Sequence, residues 1–431
     1  MERLPGFRDF YPEPPPAPSV WSAAARAFLF AKWRETARLY GFQEYDGPPL
    51  ESLDLYKLKS GGEIVRQLYN FTDKGGREVA LRPEMTPTLA RMVAAAERGY
   101  KKPLKWFSIP QLFRYERQQK GRLREHFQFN ADILGERDPG ADAEMIALLI
   151  DTLRAFGLEA ADFVIRLSSR QVWEAFYRRR GGDEARAYEF FQAVDKLERE
   201  SEEASAKRFE ELGFKLDQVR DFIESSEVSE DLAPIMEQLA ARGLQDFVRV
   251  DYGVIRGLAY YTGPVYEAFD RQGKFRAIAG GGRYDNLIAL ISRGKVRLPA
   301  LGFGMGDVVL TELLKERGLL PNLQPVLDVF VLVEDEAFRA ESLRLVQGLR
   351  EAGVATDYGL APAKSDRQYK LALSRGARFT LRLVSAPDGR VRLKVKKPAQ
   401  RTEEEIKPVD AVDFIKNQLQ LEKGPSLRGE E

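Results

Sequence analysis

A charge-rich stretch, residues 171–245, interrupts the chain between two regions that carry strand patterns. Within it, runs such as VDKLERESEEASAKRFEELGF have few β-branched residues and predict solvated amphipathic helices. The run DFVIRLS before the stretch alternates apolar and polar residues, and FVRVDYGVI, YYTGPVYEAF and FRAIAGGGRY after it predict neighbouring antiparallel strands. We therefore expect a discontinuous core, residues 1–170 and 246–320, with a helical insertion domain at 171–245.

Two long amphipathic helices are predicted in the first part of that core. Apolar residues recur at three- and four-residue steps over 21–40 and again over 145–156. Gly41 and Gly157 follow these runs, at the position where glycine commonly ends a helix.

The C-terminal region is predicted to form a separate small α/β domain over residues 326–421. The segment PNLQP at 321–325 is typical of a linker. Beyond it, the patterns predict the order strand, helix, strand, helix, strand, strand, followed by a last helix in VDAVDFIKNQL. Residues 422–431 are expected to be a disordered tail.

The composition excludes several kinds of catalytic site. The chain has no cysteine and a single histidine, His126, which excludes disulfides, thiolate nucleophiles, zinc sites built from Cys and His, and an HExxH metalloprotease helix. Lys and Arg number 67 against 66 Asp and Glu, so any site for a polyanion must be local. No run approaches the length of a membrane span, and the first residues lack the pattern of a targeting sequence, so we expect a cytoplasmic protein.

One segment has the composition of an anion-binding site. Residues 113–135, FRYERQQKGRLREHFQFNADILG, combine several cations with polar acceptors. The cations are Arg114, Arg117, Lys120, Arg122 and Arg124, and the acceptors are Glu116, Gln128 and Asp132. The chain has neither a GxxxxGK[ST] phosphate loop nor a GxGxxG motif after a strand. Taken alone, the segment is better explained by a solvated hairpin with mixed charges.

Four further motifs turn this segment into part of a family pattern. They are LRPEMTPTLAR (81–91), VIRGLAYYTGPVYE (254–267), AGGGRYDNL (279–287) and PALGFGMG (299–306). In this order the motifs resemble those of class II aminoacyl-tRNA synthetases, and RGLAYYTG with GGRYDNL is similar to the histidyl-tRNA synthetase family. The resemblance implies an α+β fold, with an antiparallel-sheet catalytic core, a helical insertion and a C-terminal α/β anticodon-binding domain.

The resemblance also implies which residues bind ATP. Arg114 and Arg256 match arginines at the α-phosphate, where a guanidinium can stabilise charge that is redistributed during attack. Glu116 matches the glutamate that accepts from the adenine amino group. Gly304 and Gly306 belong to a run with glycine at every second position, which suggests close approach of a ligand to the backbone.

A second set of residues is implied for histidine. Its members match family residues around the amino group (Glu84, Thr86 and Gln128), at the imidazole (Asp132 and Tyr261) and in the loop over it (Tyr284). An imidazole offers one donor and one acceptor, so a carboxylate and a hydroxyl suit it. Tyr261 is alternatively explained as a core residue of a strand.

Two departures from the family pattern concern ATP. Ala259 stands where the family usually has Asp, and Val309 stands where it usually has an ATP-binding Arg. Either another cation replaces that arginine, with Arg122 and Arg124 as the nearest candidates, or the β- and γ-phosphates of ATP rely more on magnesium. His126 is expected to serve packing or polarity on the phosphate side.

The activity implied is ATP-dependent ligation of histidine to tRNA-His through histidyl-adenylate. Magnesium would accompany ATP, with no metal site of the protein's own, and a homodimer is implied by Pro48, which matches the family's interface motif. Locally, Pro48 is explained as well by a turn. A non-catalytic paralogue that regulates ATP phosphoribosyltransferase is the main alternative, and the catalytic arginine and C-terminal domain argue against it. A synthetase for another amino acid is disfavoured by the RGLAYYTG and GGRYD loops.

The C-terminal region is basic within a nearly neutral chain. Residues 326–397 contain 14 Lys or Arg against 9 Asp or Glu. Arg390, Arg392, Lys394 and Lys396 alternate along one predicted strand and therefore share a face. Two interpretations stay open: a ridge that follows nucleic-acid phosphates, or charges that protect an edge strand from pairing with other chains.

Overall fold

The computed structural model describes residues 2–12, 21–60, 67–115, 123–197, 200–255, 260–321, 327–400 and 402–423. The chain divides into two compact units, Met1–Pro321 and Asn322–Glu431. The predicted linker and the predicted tail fall almost entirely outside the described residues. Within the described ranges, every helix is too short or too polar to cross a lipid bilayer.

The first unit contains strands and helices in mixed order. Its strands are β1 (Phe10–Tyr11), β2 (Trp21–Ser22), β3 (Gln43–Glu44), β4 (Leu50–Ser52), β5 (Asn70–Thr72), β6 (Glu78–Leu81), β7 (Leu104–Ser108), β8 (Gln111–Phe113), β9 (Glu125–Leu134), β10 (Phe163–Ser169), β11 (Val248–Val250), β12 (Pro264–Asp270), β13 (Ala279–Arg283) and β14 (Ala300–Gly306). Its helices are α1 (Ala23–Leu39), α2 (Leu53–Ser60), α3 (Thr86–Ala96), α4 (Pro139–Arg154), α5 (Arg170–Arg179), α6 (Ala187–Lys196), α7 (Glu202–Glu211), α8 (Leu216–Ser225), α9 (Ala233–Ala241), α10 (Leu287–Ile291) and α11 (Asp307–Glu316).

A large sheet forms the centre of this unit. Its strands lie in the order β11-β10-β12-β13-β14-β9-β7-β3, and β8 pairs with β9 beside this path. All neighbours are antiparallel except β10 with β11 and β3 with β7. The predicted pairing of β12 with β13 is confirmed. The expectation that β11 would lie next to β12 was wrong, because β10 separates them and pairs with both.

The two predicted long helices are confirmed, and both pack in the main core. In α4, Met145, Leu149 and Leu153 are fully buried. In α1, the Trp33 ring is fully buried and stacks on Phe129 of β9, with 5.8 Å between the centroids. Burial of each such side chain is worth about 1.5–3 kcal/mol, so the packing of these two helices stabilises the sheet.

The charge-rich stretch is helical, as predicted. Helices α5 to α9 follow one another there, and the described residues between Arg170 and Ala241 contain no strand. Aromatic side chains form the interior of this region: Trp173 lies edge-on to Phe222 at 4.7 Å between centroids, and Phe190 packs on Phe214 at 4.6 Å. Its status as a separate insertion domain stays a prediction.

The second unit is a small α/β structure. Its strands are β15 (Val329–Leu332), β16 (Thr356–Tyr358), β17 (Phe379–Ser385), β18 (Val391–Lys397) and β19 (Thr402–Ile406), and its helices are α12 (Arg339–Glu351), α13 (Ser365–Ser374) and α14 (Ala411–Lys423). The sheet order is β16-β15-β17-β18-β19. β15 is parallel to β16 and β17, and the last three strands are antiparallel.

Strand β19 was not predicted, and it changes the interpretation of the basic strand. β18 lies between β17 and β19 and is therefore not an edge strand, so protection of an edge is the wrong explanation for its cations. The acidic run of β19 faces them instead: Lys394 Nζ lies 3.3 Å from Glu403 Oε1, and Arg392 Nε lies 3.9 Å from Glu405 Oε1. Binding of phosphates along this ridge stays a prediction.

Candidate active site

A trough runs across one face of the large sheet, over β9, β14 and β13. Strand register places three polar residues of β9 opposite three glycines of β14: Gln128 pairs with Gly306, Asn130 with Gly304, and Asp132 with Gly302. On the next strand, Gly280 and Gly282 pair with Gly304 and Gly302. Because alternate residues of a strand share a face, these positions lie side by side. The glycines leave room beside them for the polar side chains of β9.

Two of these glycines make room for side chains of the protein itself. A methyl group added at Gly302 would lie 2.1 Å from Oδ1 of Asp132, and one at Gly304 would lie 2.6 Å from Nε2 of Gln128. At Gly306 the nearest atom would be Cδ2 of His126, at 4.0 Å. The sequence suggested close approach of a ligand along this run. The structure adds that Gly302 and Gly304 allow Asp132 and Gln128 to lie flat across the sheet.

One end of the trough, the narrow pocket, is small and polar, with a volume of about 70 Å³. Six of the residues predicted to bind histidine line it: Glu84, Thr86, Gln128, Asp132, Tyr261 and Tyr284. These residues come from three separate parts of the chain, residues 84–86, 128–132 and 261–284. The structure therefore brings the whole predicted set together.

The centre of the narrow pocket is a buried tyrosine–aspartate pair. The hydroxyl of Tyr284 donates to Oδ1 of Asp132, and both side chains are almost completely buried. Burial raises the pKa of Asp132 to about 7, although the hydrogen bond from Tyr284 opposes this. Burial and the neighbouring carboxylate raise the pKa of Tyr284 well above its usual value. Sequence reasoning paired Asp132 with Tyr261, whereas the described contact of Asp132 is with Tyr284.

The wall of the narrow pocket is held by two arginines. Arg82 is buried and donates to the backbone oxygens of Gln111, at 3.1 Å, and Gly47, at 2.6 Å. Arg114 donates from Nε to the backbone oxygen of Pro83 at 3.0 Å. These bonds fix the loop that carries Glu84 into helix α3. The same loop is thereby tied to the predicted anion-binding segment.

The other end of the trough, the wide pocket, has a volume of about 210 Å³. Its described lining combines two arginines, one carboxylate, His126, glycines and apolar side chains. These residues are Arg114, Arg276, Glu267, His126, Gln128, Gly280, Gly304, Gly306, Leu123, Ala277, Ile278, Ala279, Val308 and Val309. Arg114, Gln128, Gly280 and Gly304 also line the narrow pocket, so they mark the junction between the two.

A buried arginine supports the wide pocket from below. Nε of Arg8 lies 2.6 Å from Glu125 Oε1, and its Nη1 lies 2.8 Å from Asp307 Oδ2, with all three side chains at most 3% exposed. Asp307 Oδ1 also accepts from the backbone N–H of Phe127 at 3.0 Å. Burial raises the pKa of Asp307, and Arg8 opposes the rise. The network joins β9 to the start of α11, which carries Val308 and Val309.

A second buried ion pair supports the narrow pocket. Arg283 bonds to the carboxylate of Asp142 and donates from Nη1 to the backbone oxygen of Glu136 at 3.0 Å. Burial raises the pKa of Asp142 to about 6, with Arg283 opposing the rise. Because Arg283 precedes Tyr284 directly, this pair anchors the strand that delivers the tyrosine.

Several predicted residues cannot be placed. Glu116, Arg122, Arg256 and Ala259 lie outside the described residues. Arg124 is described, and its guanidinium lies over the Tyr115 ring at 4.4 Å from the centroid; it is absent from the described lining of both pockets. The roles assigned to individual residues stay predictions.

Sequence reasoning missed the Arg8 network, the Asp142–Arg283 pair and Arg276. Arg8 is 117 residues from Glu125 and 299 from Asp307, so no local pattern could connect them. Arg283 had one usable signal, its position inside GGRYD.

The described residues contain no group of three His, Cys, Asp or Glu side chains able to hold a metal ion. Three carboxylates, Glu84, Asp132 and Glu267, nevertheless line the trough among the described residues. These side chains suit an ion that arrives already coordinated by a ligand better than one bound by the protein alone.

Comparison with known proteins gives one consistent family. A family model described as histidyl-tRNA synthetase matches residues 18–307. The chain is 46% identical to a histidine–tRNA ligase of Opitutus terrae, over 94% of this chain and 96% of that protein. It is 38% identical to a histidine–tRNA ligase of Leptospira biflexa, over 88% and 89%. A solved histidyl-tRNA synthetase from Nostoc has a TM-score of 0.71 at 22% identity, over 91% of this chain and 95% of that one, which confirms the predicted fold.

Proposed function

Because the chain belongs to the histidyl-tRNA synthetase family, we propose that the trough binds histidine in the narrow pocket and ATP in the wide pocket. The activity is ligation of histidine to tRNA, the activity for which the relatives in Opitutus and Leptospira are named. The observation that carries the division is the position of Asp132 and Tyr284 at the closed end, with Arg114 at the junction.

In the narrow pocket, Asp132 accepts the ring N–H of histidine. A hydroxyl from Tyr261 or Tyr284 serves the other ring nitrogen, and Glu84, Thr86 and Gln128 hold the amino group. A pocket with buried polar groups discriminates strongly, because an analogue that lacks the matching atoms leaves those groups unpaired. All of these residues line the narrow pocket, and this position supports the roles proposed for them.

The wide pocket receives ATP so that its α-phosphate lies near Arg114 at the junction. A carboxylate oxygen of histidine attacks the α-phosphorus, a new O–P bond forms, and the bond to the β-phosphate oxygen breaks to release pyrophosphate. The 3′-terminal ribose of tRNA-His then attacks the activated carbonyl carbon, and AMP leaves. Fixed arginines favour this reaction because they stabilise charge on the phosphorus centre without reorganising.

Magnesium belongs to this proposal as a companion of ATP. When bound, it neutralises charge on the phosphate oxygens. Glu267, the carboxylate of the wide pocket's described lining, could hold it beside those oxygens.

The direct test is histidine-dependent exchange of pyrophosphate into ATP, run beside charging of tRNA-His. We expect both activities. A protein that binds histidine but catalyses neither reaction would instead fit the regulatory paralogue of ATP phosphoribosyltransferase, which the curated relatives do not favour.

The role of Arg256 can be tested in the same assay. Arg256→Ala should lower the exchange rate by about 100- to 1000-fold, as loss of one preorganised donor does, and leave histidine affinity nearly unchanged. A rate within about threefold of the parent would remove Arg256 from the chemistry.

Three further expectations complete the proposal. The second unit binds the anticodon, the protein is a homodimer, and it acts in the cytoplasm. Pro48 lies exposed just before β4, on a surface free to contact a second copy. Light scattering at working concentrations tests the dimer.

A further inference from the structure

The described lining of the wide pocket includes a cation, Arg276, to which the family motifs assign no role. Its described side chains include two arginines, Arg114 and Arg276, and one carboxylate, Glu267. With Arg276 the described lining is positive by one charge, and without it the lining is neutral. Arg276 therefore adds to the attraction of this pocket for a polyanion, together with Arg114.

The position of Arg276 just before strand β13 places it beside the trough. It lies in the connection between β12 and β13, and Ile278 and Gly280 follow it at two-residue steps on the way into β13. The backbone N–H of Ile278 bonds to the oxygen of Ala268 at 2.8 Å, so the ladder extends to this point. Arg276, Ile278 and Gly280 all line the wide pocket. Arg276 is exposed, which places it at the rim.

The geometry of phosphoryl transfer says which part of ATP meets this rim. The attacking carboxylate comes from the narrow pocket, so the α-phosphate lies at the junction near Arg114. In an in-line displacement the leaving group points away from the attacking group. The β- and γ-phosphates therefore point away from the narrow pocket. Arg276 lines the wide pocket and not the narrow one.

We propose that Arg276 binds the β- and γ-phosphates of ATP and the pyrophosphate that leaves. This inference rests on the proposed function. A guanidinium offers paired donors that match phosphate oxygens, and a position at the rim allows pyrophosphate to depart into solvent. Val308 and Val309, with Ile278, supply the apolar surface that suits the adenine ring instead. Arg276 thus replaces Arg124, which stacks on Tyr115, as the candidate cation.

The experiment uses the full chain and measures pyrophosphate exchange with ATP and histidine varied separately. Arg276→Ala should raise the KM for ATP by about 10- to 100-fold, the range expected for loss of a charge-assisted hydrogen bond, and change the KM for histidine by less than about threefold. Arg276→Lys, which keeps a point charge, should fall between the parent and Arg276→Ala. Titration of the protein with ATP alone should show the same order of affinities.

A matched control comes from the same connection. Lys274 is exposed, pairs with Glu316 on the surface, and is absent from the described lining of the wide pocket. Lys274→Ala should leave both KM values within about threefold of the parent.

The outcomes separate the two proposals. A parent protein without exchange activity would contradict the proposed function itself. An active parent with an Arg276→Ala variant of unchanged ATP affinity would overturn the role of Arg276 alone. Equal rises in both KM values would also overturn it, because they would indicate a structural effect. If Arg276→Ala proves unstable, Arg276→Lys and Arg276→Gln provide the same comparison of charge at similar size.

Discussion

The two pockets of the trough treat buried charge in opposite ways. In the narrow pocket, Asp132 is buried, and no ion pair with Lys or Arg reaches it from the described residues; its described partner is the hydroxyl of Tyr284. Beneath the wide pocket, the buried carboxylates Glu125 and Asp307 share the guanidinium of Arg8. One end keeps an acid without a cation, whereas at the other end two acids share one cation.

This difference teaches how a single sheet face serves two unlike ligands. An uncompensated carboxylate in a closed pocket is costly until a donor arrives, and the imidazole N–H of histidine is such a donor. A polyphosphate requires the reverse, a pocket whose described lining is positive and whose supporting acids are paired with a cation. Each end is therefore suited to its own ligand by the net charge of its described lining, which is negative in the narrow pocket and positive in the wide pocket.

The largest expected effect tests the support of the wide pocket. Arg8→Met should lower the free energy of unfolding by about 3–5 kcal/mol, because it leaves two buried carboxylates without their cation. Arg3→Met is the control: Arg3 pairs with Asp9 on the surface, with exposed fractions of 42% and 54%, and should cost less than about 0.5 kcal/mol. Denaturant titration of both variants measures the difference.

If Arg8→Met retains its fold, we expect it to change the KM values for ATP and for histidine by different amounts. The network joins β9 to the start of α11, so the KM for ATP should rise more than that for histidine. Equal effects on the two KM values would mean that the Arg8 network supports the whole trough. The proposed difference between the two pockets would then be wrong.

The second expected effect concerns the unpaired acid. The pKa of Asp132 is about 7 in the folded protein and its usual value is 3.8. Between these values the folded state holds a proton that the unfolded chain has lost, so stability falls as the pH rises through this window and levels off above it. Asp132→Asn cannot lose that proton, so its stability relative to the parent should improve by up to about 1.4 kcal/mol per pH unit.

Unfolding titrations of both proteins without histidine, at several pH values from 4 to 8, measure this difference. Contributions from other groups, including Asp142, are present in both proteins and cancel. A stability difference that does not change with pH would show that Asp132 is ionised throughout. Burial without a neighbouring cation would then not raise the pKa of this carboxyl group.

Much of the fold was accessible from the sequence because its signals are local. The long helices have a three-to-four-residue apolar period, and β10, β12 and β13 have strand patterns bounded by glycine turns. Strand β19 escaped because TEEEI has almost no apolar residue: its acids face the cations of β18 rather than a core. β11 was misplaced because a strand pattern does not specify its neighbour, and the helical stretch separates β11 from β10 along the chain.

The site also contains residues that local sequence motifs predicted and residues that they did not. The residues of the narrow pocket were predicted because each belongs to a motif, and pairing among β9, β13 and β14 brings those motifs together. The Arg8 network was not predicted because its members are more than 100 residues apart and each is an ordinary charged residue by itself. Arg276 lies in a connection between strands, where no periodic pattern marks it.

The third expected effect tests recognition in the narrow pocket. Asp132→Asn has nearly the same shape but loses the charged acceptor, so the KM for histidine should rise by about 10- to 100-fold while that for ATP stays nearly constant. Pyrophosphate exchange with each substrate varied gives both values, and the melting temperature shows whether the variant is folded. A folded variant with an unchanged KM for histidine would remove Asp132 from the site.

The smallest expected effect compares two glycines on the same face of β14. Gly302→Ala would place its methyl group 2.1 Å from Oδ1 of Asp132 and 2.6 Å from the backbone oxygen of Ala131. The carboxylate must therefore move, and we expect the KM for histidine to rise by at least about tenfold. Gly306→Ala is the matched control, since its nearest neighbour would be His126 at 4.0 Å and its φ of −80° suits alanine.

For Gly306→Ala we expect a KM for histidine within about threefold of the parent, because the added methyl group lies at the wide pocket. Both variants add one carbon to the same strand, so the pair compares a crowded position with an open one. If both variants lose histidine affinity equally, the strand as a whole sets the pocket. If only Gly302→Ala lowers histidine affinity, the narrow pocket recognises histidine through a carboxylate that one added methyl group displaces. The wide pocket then tolerates a change of the same size.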